Sequence, residues 1–243
     1  MNARISISSP FSQLLMGVAF AAGLAASANA TTVLIDFGGT TNTTPTTGGQ
    51  SWNNLTSTMG AVVGTPLSNL VATTGTGTGI SLSIVSRFNG NNDIGTTSGL
   101  APYPSTATGD SLFGNTGSFG AGPNIFPAFR LSGLVVGQSY DLTFFASRTG
   151  VSDNRETLYT VTGSTSGSVA LNASNNVSNT VTYSVTPNAS GEILINIGPG
   201  PNNDNPTTRF TYLNVLEINT VPEPGSLALA GLGGLLLLRR KRD

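Results

Sequence analysis

Through the middle of this chain, apolar residues recur at every second position. ISLSIVSRF (80–88) sets Ile80, Leu82 and Ile84 against intervening serines. SYDLTFFASR (139–148) puts Tyr140, Leu142, Phe144 and Ala146 on one face, and EILINIG (192–198) does the same with Ile193, Ile195 and Ile197. A period of two is the repeat of a pleated strand with one face buried. Further strands are read at VLIDF (33–37), AFRLSGL (128–134), TLYTVTG (157–163), SVALNA (168–173), NTVTYSVTP (179–187) and RFTYLNVLEI (209–218). No segment between residues 31 and 220 repeats every 3.6 residues. Short alternating runs split by Gly, Asn and Pro turns predict an all-β fold. The expected form is one antiparallel β-sandwich, jelly-roll-like, of about nine strands. Residues 38–79, rich in threonine and glycine, read as long loops around one or two short strands.

Charge is scarce. Only 9% of the residues are charged, against roughly 25% in ordinary soluble proteins. The polar surface must come from Thr, Ser, Asn and Gly, a composition that suits a protein outside the cytoplasm. The span 31–220 holds five basic and nine acidic residues, a net charge of −4. That leaves no basic patch for nucleic acid. Cysteine and histidine are both absent. Their absence removes disulfides, thiolate chemistry, cysteine-ligated zinc and the commonest general base.

The ends differ from the body. Arg4 is the only charge before residue 36, an apolar stretch runs from Leu14 to Ala26, and Ala28-Asn29-Ala30 is a small-x-small site. This is the order of a secretory signal peptide, residues 1–30. It predicts passage through the export machinery and a signal peptidase cut between Ala30 and Thr31. At the other end, Val221-Pro222-Glu223-Pro224 precedes fourteen uncharged residues, Gly225–Leu238, and then Arg239, Arg240, Lys241 and Arg242. As a helix the apolar run spans about 21 Å, short of a hydrocarbon core of about 30 Å. Basic side chains can lengthen it by reaching the headgroups, and they mark the cytoplasmic side. The sandwich is therefore expected between a signal helix and a C-terminal transmembrane helix in the inner membrane. The two prolines hold an extended stretch just outside that helix, and an extended peptide is what a protease-like site binds.

The Val221–Pro224 block, the apolar run and the basic stop, in that order, resemble the PEP-CTERM sorting domain of Gram-negative bacteria. The resemblance covers residues 221–243. It implies recognition by an exosortase, cleavage near the Pro-Glu-Pro, and delivery to the cell surface or an exopolysaccharide matrix. More loosely, IDFGGT, SWNNLT, YDLTFFASR, NRETLYTVTG and YLNVLEI resemble secreted bacterial β-sandwich domains related in style to galactose-binding-like and carbohydrate-binding modules. That second resemblance implies a glycan-binding role without naming a ligand.

Candidate chemistry in the body is sparse. Gly109-Asp110-Ser111-Leu112 spells the nucleophile block of a hydrolase family, but no histidine exists to activate Ser111, and a turn or strand start explains the block better. Nine scattered acids form no recognisable pair for a glycosidase or lyase. Asn89–Asp93 and Asn202–Asn205 offer oxygen ligands that calcium would accept, yet both also suit ordinary turns. No metal site is assigned. For a sugar, the candidates are Trp52, Tyr103, Arg148 and Arg155, the last two within the charged segment SRTGVSDNRE. The expected role is structural or adhesive and non-enzymatic. A carbohydrate-binding module is the alternative, and a carboxylate-dependent hydrolase or lyase the third reading.

Overall fold

The computed structural model describes residues 30–221, apart from 118 and 120–122. In chain order its elements are β1 (Thr32–Gly38), β2 (Asn53–Thr56), α1 (Ser57–Gly60), β3 (Gly64–Leu67), β4 (Ser81–Ser86), β5 (Gly90–Asn92), α2 (Ser105–Thr108) and β6 (Ser111–Gly114). They continue with β7 (Ala128–Ser132), β8 (Tyr140–Phe145), β9 (Glu156–Thr162), β10 (Ser166–Asn172), β11 (Val181–Val185), β12 (Ile193–Pro199), β13 (Thr211–Leu213) and β14 (Val215–Thr220). A five-stranded sheet runs β11-β8-β14-β1-β2 and a six-stranded sheet β10-β9-β12-β7-β4-β3. A small third sheet, β13-β6-β5, closes one end.

Every strand read from alternation is present, and the loop-rich region contains β2 and β3. The differences are local. RFTYLNVLEI is two strands, β13 and β14, that part at Asn214 and join different sheets. The pair β1–β2 runs parallel, where an antiparallel sandwich was expected. The three residues of β5 and four of β6 are too short to show a period. Ser111 is the first residue of β6, which agrees with a strand start at that block. The signal helix and the membrane helix lie outside the described residues. Among the described residues, no helix is long and apolar enough to cross a membrane.

The inward faces are those the alternation marks. Val33, Ile35 and Phe37 of β1, Leu142 and Phe144 of β8 and Leu216 and Ile218 of β14 meet Leu82, Ile84, Phe129, Tyr159, Val161, Ile193 and Ile195 from the facing sheet. Each such side chain contributes roughly 1.5–3 kcal/mol by leaving water. Phe144 and Tyr159 stack across the interface, 4.3 Å between centroids and 8° from parallel. The Tyr159 hydroxyl donates to the Tyr212 carbonyl at 2.6 Å, tying the core to the third sheet.

Part of the outward face of the five-stranded sheet is buried too. Leu34, Phe145 and Val215 point away from the main core and meet Trp52, Ala107 and Tyr103. The α2 segment thus lies over this face like a lid.

Asn214 sits where sheets and lid meet, fully buried. Its N–H donates to the Phe145 carbonyl at 3.0 Å, and its carbonyl accepts from Phe37 at 2.8 Å. Its side-chain oxygen accepts from the Ser147 N–H at 2.8 Å. Its amide donates to the carbonyls of Thr108 (3.0 Å) and Asp110 (2.5 Å). Asn214→Ala would strand three buried backbone partners, so unfolding by denaturant should show a loss on the order of 3 kcal/mol.

Candidate functional site

The third sheet forms the floor of an open cleft. Register places Phe113 of β6 opposite Gly90 of β5 on one side and Tyr212 of β13 on the other. Arg148 follows β8, Arg155 precedes β9, and Phe210 precedes β13. With Asn91, Asn92 and Phe119 these residues line a hollow of about 280 Å³. Three rings meet edge-on: Phe119–Phe210 at 5.1 Å, Phe113–Phe210 at 5.6 Å and Phe113–Phe119 at 5.8 Å. Phe119 is 47% exposed and presents its ring at the mouth.

The two arginines play different parts. Arg155 donates from Nε to both Asp153 carboxylate oxygens, at 3.1 and 3.2 Å. It also donates from Nη1 to the Tyr212 hydroxyl at 2.5 Å. Its guanidinium lies 5.4 Å from the centre of the Phe210 ring and 5.9 Å from that of Tyr212, within the range of cation–π attraction. Burial pushes the Tyr212 hydroxyl up from its ordinary pKa, against the pull of Arg155 and Arg148. That hydroxyl accepts from Arg155, so its own proton remains available. Burial works against the charge on Asp153, but hydrogen bonds from Asn205 and Arg155 outweigh it and hold the carboxyl low. Arg148 donates to the Thr149 carbonyl. Its buried Nε has no partner, and among the described residues it forms no salt bridge.

The four residues singled out for sugar binding therefore separate. Arg148 and Arg155 share the cleft. Trp52, 8% exposed, and Tyr103 pack under α2, ring edge to ring face at 6.1 Å. Tyr103 donates to Glu217 at 2.7 Å. Burial, together with that carboxylate, pushes the Tyr103 hydroxyl well above its ordinary range. These two residues are part of the packing and offer no open platform to a ligand. The aromatic residues in the cleft, Phe113, Phe119, Phe210 and Tyr212, were not singled out from sequence. Their only signal is that Phe210 and Tyr212 share one strand face. A larger hollow of about 470 Å³ lies at the opposite end of β8 and β14, lined by threonines, glycines and apolar groups without a charge.

The PEP-CTERM protein-sorting motif matches residues 220–242. No curated protein matches the chain. Among solved structures, similarity is found to the ANXUR1 extracellular domain of Arabidopsis thaliana, with 13% identity, a TM-score of 0.42, and cover of 78% of this chain and 48% of that one. The ANX2 ectodomain of the same plant gives 11% identity, a TM-score of 0.43, and cover of 80% and 50%. The K1 adhesin domain of Lys-gingipain from Porphyromonas gingivalis W83 gives 10% identity, a TM-score of 0.31, and cover of 58% and 83%. The chain thus spans about half the length of the plant ectodomains it matches.

The loops weighed as calcium sites are occupied by their own hydrogen bonds. Asn203 donates to the carbonyls of Glu156 and Phe210, and Asn205 bonds Asp153 and Thr208. Asn91 donates to Asp93, and Asn92 accepts from the Ile94 N–H. Among the described residues, no three acidic side chains converge on a metal-sized space.

Two acids far apart in sequence do meet inside. Asp36, 1% exposed, accepts from the Thr44 N–H at 2.9 Å and hydroxyl at 2.8 Å. Asp110 accepts from the Gly39 N–H at 2.5 Å, and a side chain at position 38 would collide with its carboxylate. One oxygen of each acid is buried without a partner. Burial pushes Asp36 up to about 7; the Thr44 bonds oppose the rise and the Asp110 charge adds to it. Burial likewise raises Asp110. A carboxyl whose pKa is raised by folding binds its proton more tightly in the native state, so it stabilises most at low pH. That contribution is lost as pH rises from the unfolded value through about 7. With no histidine in the chain, the side chain that ordinarily titrates in that window is missing. The melting midpoint should fall between pH 5 and pH 8 by on the order of 4 °C or more. Asp36→Asn, which keeps an acceptor for Thr44, should flatten that profile in a calorimetric series.

Proposed function

We propose that this is an exported protein held at the membrane by its C-terminal segment until an exosortase processes it. In this reading it then remains at the cell surface or in an exopolysaccharide matrix, where the sandwich has a structural or adhesive role. The match of residues 220–242 to the sorting motif carries the export half. The two prolines at 222 and 224 bracket Glu223, and proline is unfavourable in a helix interior. A short apolar run behind it makes a weak permanent anchor, suited to holding the chain for one processing step.

The adhesive half rests on the cleft. Rings, guanidinium groups and amides around an open hollow are what a sugar needs: apolar faces for its C–H groups and planar donors and acceptors for its hydroxyls. The occupant would be a glycan, and adhesion would follow from holding a polymer of the matrix. We also read the sandwich as jelly-roll-like, because the chain passes repeatedly between the two large sheets from β7 onward.

Deleting Val221–Asp243 should send the protein into the medium. Glu223→Ala should leave it uncleaved in the membrane fraction. Intact mass and fractionation check both variants, and an unchanged mature mass and location would sink the sorting half.

A further inference from the structure

We propose that the cleft takes an acidic sugar, a carboxylate-bearing unit of a polyuronate, and that Arg148 is the group that reads its charge. This deepens the carbohydrate reading of the same cleft and rests on it. The first observation is charge balance. Arg155 is neutralised by Asp153 through two bonds from Nε. Arg148 has no salt bridge among the described residues, and Asp93, the acid next to β5 on the opposite wall, is bonded by Asn91.

The second observation is hydrogen-bonding capacity. Arg148 Nε is buried without a partner, although a buried donor normally finds one. The Tyr212 hydroxyl accepts from Arg155 and keeps a proton to donate. A carboxylate in the hollow would accept from that hydroxyl and from the guanidinium of Arg148, which lines it, and charge-assisted bonds of this kind are about twice as strong as neutral ones. The third observation is the ring cluster. Phe119 and Phe210 form an apolar ledge beside the arginines, which fits the face of a sugar ring. Asn92 on β5, whose side-chain oxygen is engaged by the Ile94 N–H, keeps its amide N–H groups for a hydroxyl.

The test uses the full chain in detergent, applied to polygalacturonate and to the same polymer fully methyl-esterified. The two share a backbone and differ in charge. Retention on the acid form should exceed that on the ester by about tenfold or more. It should weaken as salt is raised. Arg148→Met, which keeps the apolar stem, should lose that preference. Arg130→Met, which removes a positive charge on the distant strand β7, should keep it. Melting curves are to establish first that both variants fold.

Equal retention on both polymers overturns the acidic assignment and leaves the carbohydrate reading standing. Equal retention on polyglutamate overturns the sugar assignment in favour of an acidic peptide. Retention on neither polymer overturns the inference. In that case Phe210→Ala assayed across a neutral glycan panel decides the carbohydrate reading separately.

Discussion

One buried amide fixes the geometry on which the cleft depends. Asn214 satisfies its backbone and side-chain groups on five partners from three segments: Phe37, Phe145 with Ser147, and Thr108 with Asp110. Inside a protein such a group is costly unless fully bonded, and fully bonded it holds one arrangement. Tyr212 stands two residues before it and Arg148 directly follows its partner Ser147. The amide thus sets where β13 leaves the third sheet and where the loop after β8 begins. The ring floor and the arginines are placed from the same point.

Around that point the protein buries further polar groups. Asp36 and Asp110 lie under the lid, each with one unpartnered oxygen. The cost of their charges falls on folding at neutral pH, and a proton relieves it. The glycine at position 38 belongs to this arrangement, because the Asp110 carboxylate fills the space a side chain would need. The surface is nearly uncharged, so the few ion pairs present matter more for position than for stability. Arg155 held on Asp153 and stacked beside Phe210 is a fixed donor, and fixed donors lose little entropy on binding.

Much of the sandwich is legible in the sequence, since a one-sided strand writes its period into the chain. What escaped is non-local. Trp52 and Tyr103 stood out as the lone tryptophan and a tyrosine between two prolines; α2 covers both, and nothing in Ser105–Thr108 announces it. Arg148 and Arg155 were found because they crowd one segment. Their aromatic partners at 113, 119, 210 and 212 come from β6, β13 and the segments beside them, distant in sequence, and the pairing of Phe113 with Tyr212 brings them together. Asp36 and Asp110 are likewise separated by the whole of the loop-rich region. Asn214 read as one polar residue inside an apolar run, with no local sign that two sheets part there. The sorting segment was legible for the opposite reason, since its signal is entirely local.

Arginine side-chain NMR of the full chain in detergent, titrated with a short oligogalacturonate, tests the occupancy of the cleft most directly. The Nε–H signals of Arg148 and Arg155 should shift together and saturate with the ring signals of Phe119 and Phe210, while Arg87 and Arg130 stay still. Saturable shifts that leave Arg148 and Arg155 unmoved, or no shifts at all, would contradict an acidic glycan in this cleft.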